Sequence, residues 1–185
     1  MKKKAVTRRS PVRPKGRRAT RPARPARPAR VRKEPSFGIR SILVPIDFSV
    51  HSKNALKYAV PIAEKFGASL HLVYVVEPTI YPADLGFGQV VLPGVEDELR
   101  EKGGEELAAL IGKEIGTRLK ASSSVRTGNP HQEILLEAEE QGVDLIIVAT
   151  HGHSGVEHML FGSTADRVVR NARCPVMTIR PEPAA

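Results

Sequence analysis

An unbroken apolar run of five residues, Leu145 to Ala149, ends abruptly in the polar turn Thr150-His151-Gly152. A run this short and this apolar suits a strand buried on both faces. After a further loop comes Gly162-Ser163-Thr164, and then a helical pattern with Ala165, Val168 and Val169 on one face. Strand, glycine-bearing loop and helix start therefore follow one another directly. In open α/β sheets such a junction is where anions bind, because the first amides of the helix have no internal partners and point outward.

The flanking sequence repeats the alternation. Ile39 to Ile46 reads as a first buried strand, and Asp47-Phe48-Ser49 is the turn after it. Ser49 or Ser52 supplies the cap of a helix carrying Ala55, Ala59, Ile62, Ala63 and Phe66, which Gly67 ends. Pro61 inside that helix predicts a bend or a break. Leu70 to Val76 is a second strand. Glu77 to Gly94, with three prolines and three glycines in eighteen residues, is a long loop of the kind that serves as a lid or binding element.

Val95 to Lys120 predicts a helix with a stripe of Leu99, Leu107, Leu110, Ile111 and Ile115, weakened in the middle by Gly103-Gly104. Ser122 to Thr127 is a poor strand by propensity and suits a sheet edge. Asn129 and Pro130 occupy the cap and first position of a helix that puts Ile134, Leu135 and Ala138 on the core and stops at Gly142. A helix from Ser163 to Ala172 and a last strand, Val176 to Arg180, complete the chain. Strands alternating with helices predict a doubly wound α/β fold: five parallel strands with right-handed crossovers and helices on both faces.

Charge divides the chain in two. Residues 1–36 hold 15 Lys/Arg against one acid, whereas 37–185 hold 14 against 19, so an arm of +14 precedes a domain of −5. Arg21 to Arg30 is three copies of Arg-Pro-Ala closed by a further arginine. Proline at every third position forbids a helix and like charges repel, so a disordered arm is expected over 1–36 and the folded domain over 37–185. The prolines also spoil the amphipathic helix of an organellar transit peptide, and no apolar signal segment is present. The chain has one cysteine and no run of 18 apolar residues. No membrane span and a cytoplasmic location are the expectation.

Ala149, Gly152, Gly162 and Ser163 stand in the spacing of a known motif. They resemble the Gly-x2-Gly-x9-Gly-(Ser/Thr) nucleotide loop of the universal stress proteins, with alanine in place of the first glycine. The resemblance runs over about Ile39 to Pro181 and includes Ile42-Leu43-Val44-Pro45-Ile46-Asp47-Phe48-Ser49 and Cys174-Pro175-Val176-Met177. It does not reach the basic arm. It implies an adenine nucleotide alpha hydrolase-like fold of strand order 3-2-1-4-5, which brings Asp47 beside the Gly152 loop. It also implies an adenine nucleotide as ligand, ATP with any Mg²⁺ carried in by the triphosphate, and a homodimer through Val176 to Arg180. The site residues it implies are Pro45, Asp47, Val75, Val148, Ala149, Gly152, Gly162, Ser163 and Thr164. Asp47 contacts the adenosine portion, and the backbone of Val75 pairs with the adenine edge.

Each assignment has a plainer counterpart. Gly152 and Gly162 would serve equally as turn glycines, and Asp47 as a turn aspartate satisfying nearby amides. His151, His153 and His158 have no cysteine partner nearby and read as loop histidines facing water or phosphate, so no metal site is assigned. Cys174 reads as a small packed residue. No Gly-x4-Gly-Lys-(Ser/Thr) is present, and Glu157 and Asp166 read as solvated acids. No catalytic set emerges, so the expected function is nucleotide-dependent regulation of a stress response without efficient catalysis. Two other functions fit the same sequence. One is a dimeric nucleic-acid-associated protein acting through its arm, whose Lys/Arg would neutralise phosphates without reading sequence. The other is a slow ATP hydrolase.

Overall fold

A computed structural model describes residues 38–78, 94–152 and 161–180. The arm, most of the loop after Glu77, and His153, Glu157 and His158 lie outside the described residues. Five strands and four helices alternate as the sequence predicts. They are β1 (Ser41–Pro45), α1 (Val50–Phe66), β2 (Ser69–Val76), α2 (Val95–Glu114) and β3 (Ala121–Thr127). They continue with α3 (Pro130–Glu140), β4 (Leu145–Ala149), α4 (Ser163–Asn171) and β5 (Val176–Ile179). The sheet order is β3-β2-β1-β4-β5, with every neighbouring pair parallel.

Each face of the sheet carries its own core. Ile42 and Val44 of β1, Leu70 and Leu72 of β2 and Ile147 of β4 pack against Leu56 and Ala59 of α1 and Leu107 of α2. Leu43, Val73, Ile146 and Val148 point the other way, against Ile134 and Ala138 of α3 and Val168 of α4. All five residues of β4 are buried, as expected of a strand covered on both faces. Each such buried Leu or Ile contributes about 1.5–3 kcal/mol relative to exposure.

Several local expectations are corrected. α1 runs unbroken through Pro61, which lies on the exposed face, where the carbonyl the proline leaves free is open to solvent. Its buried stripe is Ser52, Ala55, Leu56, Ala59, Val60 and Ala63, while Phe66 is 46% exposed. α2 stops at Glu114, and buried Ile115 lies beyond it, followed by left-handed Gly116. On α4, Ala165 and Val168 are buried but Val169 is 43% exposed, because a helix of nine residues contributes only a narrow stripe to the core. Asn129 and Pro130 begin α3 as predicted, though the Asn129 side chain makes no capping hydrogen bond. Among the described residues, no helix is long and apolar enough to cross a membrane.

Candidate functional site

In β3-β2-β1-β4-β5 the strand order reverses between the parallel strands β1 and β4, so the crossovers leave to opposite sides and a crevice opens at the carboxyl ends of these strands. A cleft of about 710 Å³ lies there. It gathers all nine residues singled out in the sequence: Pro45 and Asp47 after β1, Val75 from β2, Val148 and Ala149 from β4, Gly152, and Gly162, Ser163 and Thr164 at the start of α4.

Asp47 is held by the helix that follows it. Its Oδ1 accepts hydrogen bonds from the Ser49 amide (3.0 Å) and the Ser49 hydroxyl (2.6 Å). Ser49 Oγ in turn accepts the Ser52 amide at 3.1 Å as the N-cap of α1. Between them Phe48 adopts φ +64°, a left-handed conformation that costs a bulky residue about 1–3 kcal/mol. Its ring rests 4.8 Å, centroid to centroid, from Tyr74, and an aromatic pair of this kind returns about 0.5–1.5 kcal/mol.

Gly152 comes so close to Asp47 that a Cβ would lie 2.6 Å from the carboxylate Oδ2. Any side chain here must displace the aspartate. A Cβ on Gly162 would stand 3.3 Å from the Thr150 carbonyl oxygen, to which the Gly162 amide donates at 2.7 Å. Gly162 is the N-cap of α4 and has no side chain to cover the helix end. The first α4 amide to bond back is that of Asp166, to the Gly162 carbonyl, so the amides of Ser163, Thr164 and Ala165 precede the helical ladder beside the cleft. Two hydroxyls and a partial positive dipole end are the chemistry that suits an anion.

Val75 is placed by strand length. β1 ends at Pro45, opposite Val73, and the Ile46 amide donates to the Val73 carbonyl. β2 runs on past that point, and its alternation turns the N–H and C=O of Val75 to the same side as those of Val73. The donor and acceptor of Val75 therefore face the cleft instead of a strand, while the next carbonyl, that of Val76, accepts from Gly128 on the β3 side.

Several residues lining the cleft carry no motif in the sequence: Tyr74, Glu77, Glu106, Pro130 and Ile134. Burial raises the Tyr74 phenol above its ordinary value, and the carboxylates of Glu106, Asp47 and Glu77 raise it further. His151 Nδ1 lies 2.9 Å from the hydroxyl of buried Thr150, and its ring is 6.1 Å from that of His51. Asp166 pairs with Arg170 one turn along α4, as a solvated acid does. Cys174 packs against the α3/α4 core, and burial pushes its thiol up, away from the reactive thiolate.

A partly buried ionic cluster, centred on buried Glu137, links β3 to α3. Glu137 of α3, 2% exposed, takes His71 Nε2 at 2.6 Å, the Ser124 hydroxyl at 3.0 Å and Arg126 Nη1 at 2.5 Å. Arg126 also reaches Glu133 at 2.8 Å and Glu140 at 2.9 Å. Burial pushes the Glu137 carboxyl up, but the hydrogen bonds from Arg126 and Ser124 and the nearby His71 more than offset it and hold it below the usual carboxylate range. The Arg126 guanidinium is correspondingly raised by Glu140, Glu133 and Glu137. The one local signal for this cluster is three glutamates at 133, 137 and 140, a helical spacing that puts charge on a face shared with Ile134.

Fold and cleft together define a doubly wound α/β protein with its ligand crevice at the topological switch point. Residues 38–180 match the profile of the universal stress protein family, and the chain belongs to that family. A universal stress protein of Methanocaldococcus jannaschii is 34% identical over 143 residues, covering 76% of this chain and 82% of its own length. One of Bacillus subtilis is 31% identical over 144 residues, 75% of this chain and 97% of its own. The solved universal stress protein UspA of Lactobacillus plantarum superposes with a TM-score of 0.62 at 26% identity, covering 77% of this chain and 98% of its own. The fold is the adenine nucleotide alpha hydrolase-like one expected.

Proposed function

We propose that the chain binds ATP in the cleft and acts as a nucleotide-dependent regulator in a stress response. One observation carries the reading: the edge of Val75, which pairs with no strand among the described residues, the Asp47 carboxylate and the opening amides of α4 line a single cleft. The adenine edge presents one acceptor and one donor, which the Val75 N–H and C=O complement. Asp47 accepts from a ribose hydroxyl. The α4 amides and the hydroxyls of Ser163 and Thr164 donate to phosphate oxygens. Two universal stress proteins of this fold have been solved with adenine nucleotides, one with cAMP and one from Archaeoglobus fulgidus with dAMP. At 19% and 21% identity they carry the fold, and the residues of this cleft carry the rest.

Mg²⁺ enters with the triphosphate in this reading. The described residues contain no group of three or more His, Cys, Asp or Glu that could hold a metal, while the Ser163 and Thr164 hydroxyls are hard oxygen donors suited to its shell. Dimerisation falls to β5, which pairs with β4 on one side only and lies at the sheet edge with Met177 partly exposed. The charge division supports a second activity, nucleic-acid binding by the arm over 1–36.

The test is calorimetric titration of ATP with Mg²⁺ into the full chain and into a Gly152→Val, Gly162→Val double variant. Saturable heat that the variant loses while keeping its circular dichroism supports the site. Absence of heat from folded, nucleotide-free protein overturns it.

A further inference from the structure

The ionic cluster of Arg126, Glu133, Glu137 and Glu140 takes no part in the contacts assigned above, and stability alone does not account for it. Buried ion pairs cost several kcal/mol of desolvation per ion, and apolar side chains of similar volume commonly serve as well or better. Charged hydrogen bonds differ from apolar contacts in being directional: Leu against Val slides, whereas a guanidinium fork between carboxylates does not.

The place of the fork gives it a consequence. Arg126 sits opposite Val75 in the β2–β3 register. From that position it grips three carboxylates of α3 at i, i+4 and i+7, while His71 and Ser124 bond the same Glu137 from β2 and β3. The first turns of α3 supply Pro130 and Ile134 to the cleft that Val75 also lines, and Ile134 and Val75 share one apolar cluster. The position of that wall relative to Val75 is thus set by Arg126. We infer that Arg126 and Glu137 are positioning residues for the nucleotide base, holding α3 at the spacing that confines adenine against the Val75 edge. The inference rests on the adenine-nucleotide reading above and deepens it into a source of base selectivity.

Adenine and guanine differ at this edge by an exchange of donor and acceptor. Guanine offers O6 as an acceptor where adenine offers an N6 donor, so it meets the Val75 carbonyl with repulsion unless it slides along the strand until O6 reaches the N–H. A fixed α3 wall denies that slide. A loosened wall permits it, and selectivity falls before binding does.

Calorimetry of the full chain with Mg²⁺ and either ATP or GTP reads this directly. In an Arg126→Met, Glu137→Met double variant the ratio of ATP to GTP affinity is expected to shrink at least about tenfold, mostly through tighter GTP binding, with a cooperative urea transition retained. A second variant, Glu133→Gln with Glu140→Gln, touches half-buried and exposed carboxylates only, keeps Glu137 paired, and shifts the ratio the same way by about threefold. Arg126→Lys, a single point charge without the fork, falls between wild type and the Met variant. An unchanged ratio in both double variants overturns the inference and leaves the nucleotide site standing. Equal losses for ATP and GTP also overturn it, since general damage to the cleft weakens both. Wild-type protein that binds neither nucleotide overturns the proposed function and this inference together.

Discussion

Glu137 is where a single proton matters most among the described groups. Its carboxyl is held below the unfolded value, so it contributes stability at neutral pH that is lost as pH falls through its folded value. Glutamine has the shape of the protonated acid without the charge, and at pH 7 Glu137→Gln is expected to lower unfolding free energy by about 1–3 kcal/mol. Urea titrations of wild type and variant from pH 7 to pH 3 should draw together as pH falls below the unfolded carboxyl value of about 4.3, and meet only beneath the lower folded value. A difference constant over that range would mean that the ionised form is not what stabilises. Gly152 makes the opposite case, a residue whose cost is functional. A Cβ there meets the Asp47 carboxylate, whose displacement gives up the Ser49 hydrogen bonds, so Gly152→Ala should lower unfolding free energy by about 0.5–1.5 kcal/mol, little beside its effect on binding. The same variant should bind ATP at least about tenfold more weakly, because the displaced carboxylate no longer meets the ribose. The two residues also differ in how they could be read. Gly152 lies in a spaced motif within a few dozen residues of chain. Glu137 matters through His71, 66 residues away, and a sequence does not display which strand face meets which helix face.

Two glycines of α2 separate what propensity says about an element from what packing says. By propensity each costs a helix about 1 kcal/mol relative to alanine. At Gly112, where a Cβ would meet nothing within 4 Å, that is the whole account, and Gly112→Ala should raise stability by about 0.5–1 kcal/mol. Gly103 is different: a Cβ there would stand 2.5 Å from the Tyr74 ring, which lines the cleft and pairs with Phe48. Gly103→Val should therefore cost about 1–3 kcal/mol by overpacking, and weaken ATP binding as well. Chemical denaturation of the two variants side by side checks both signs; stabilisation at Gly103 would mean that Tyr74 moves aside freely. The Gly103-Gly104 pair looked like a flaw in the stripe because the sequence does not announce that an aromatic ring from β2 fills the gap. The long periodic segments were legible for the converse reason. β4 announces itself because burial on both faces leaves no polar position, and α4 because a glycine loop precedes it. The buried stripe of α1 is rotated from the one its sequence suggests, taking in Leu56 and Val60 and leaving Phe66 outside, since alanine-rich helices offer weak contrast between faces.

At the scale of the whole molecule the chain combines parts of opposite charge, and the two activities proposed for it should come apart cleanly. A domain carrying −5 is repelled by DNA, whereas 15 Lys/Arg in an arm of 36 residues displace counterions from phosphates whatever the base sequence. The full chain is therefore expected to bind duplex DNA of any sequence, with an affinity that falls about 10³-fold or more between 50 and 200 mM salt if six or more phosphates are engaged. Deleting 1–36 should abolish that binding and leave the ATP titration unchanged, because the residues placed around the cleft begin at Pro45. Fluorescence anisotropy with two unrelated duplexes at both salt concentrations, beside calorimetry on the same preparations, makes the measurement. Retained DNA binding after the deletion would move the activity into the acidic domain, where no Lys or Arg lines the cleft among the described residues. Full-length protein indifferent to DNA at 50 mM salt would leave the arm as a solubilising tail. A deletion that also lost ATP would tie the arm to the nucleotide site, and the two halves would have to be treated as one device.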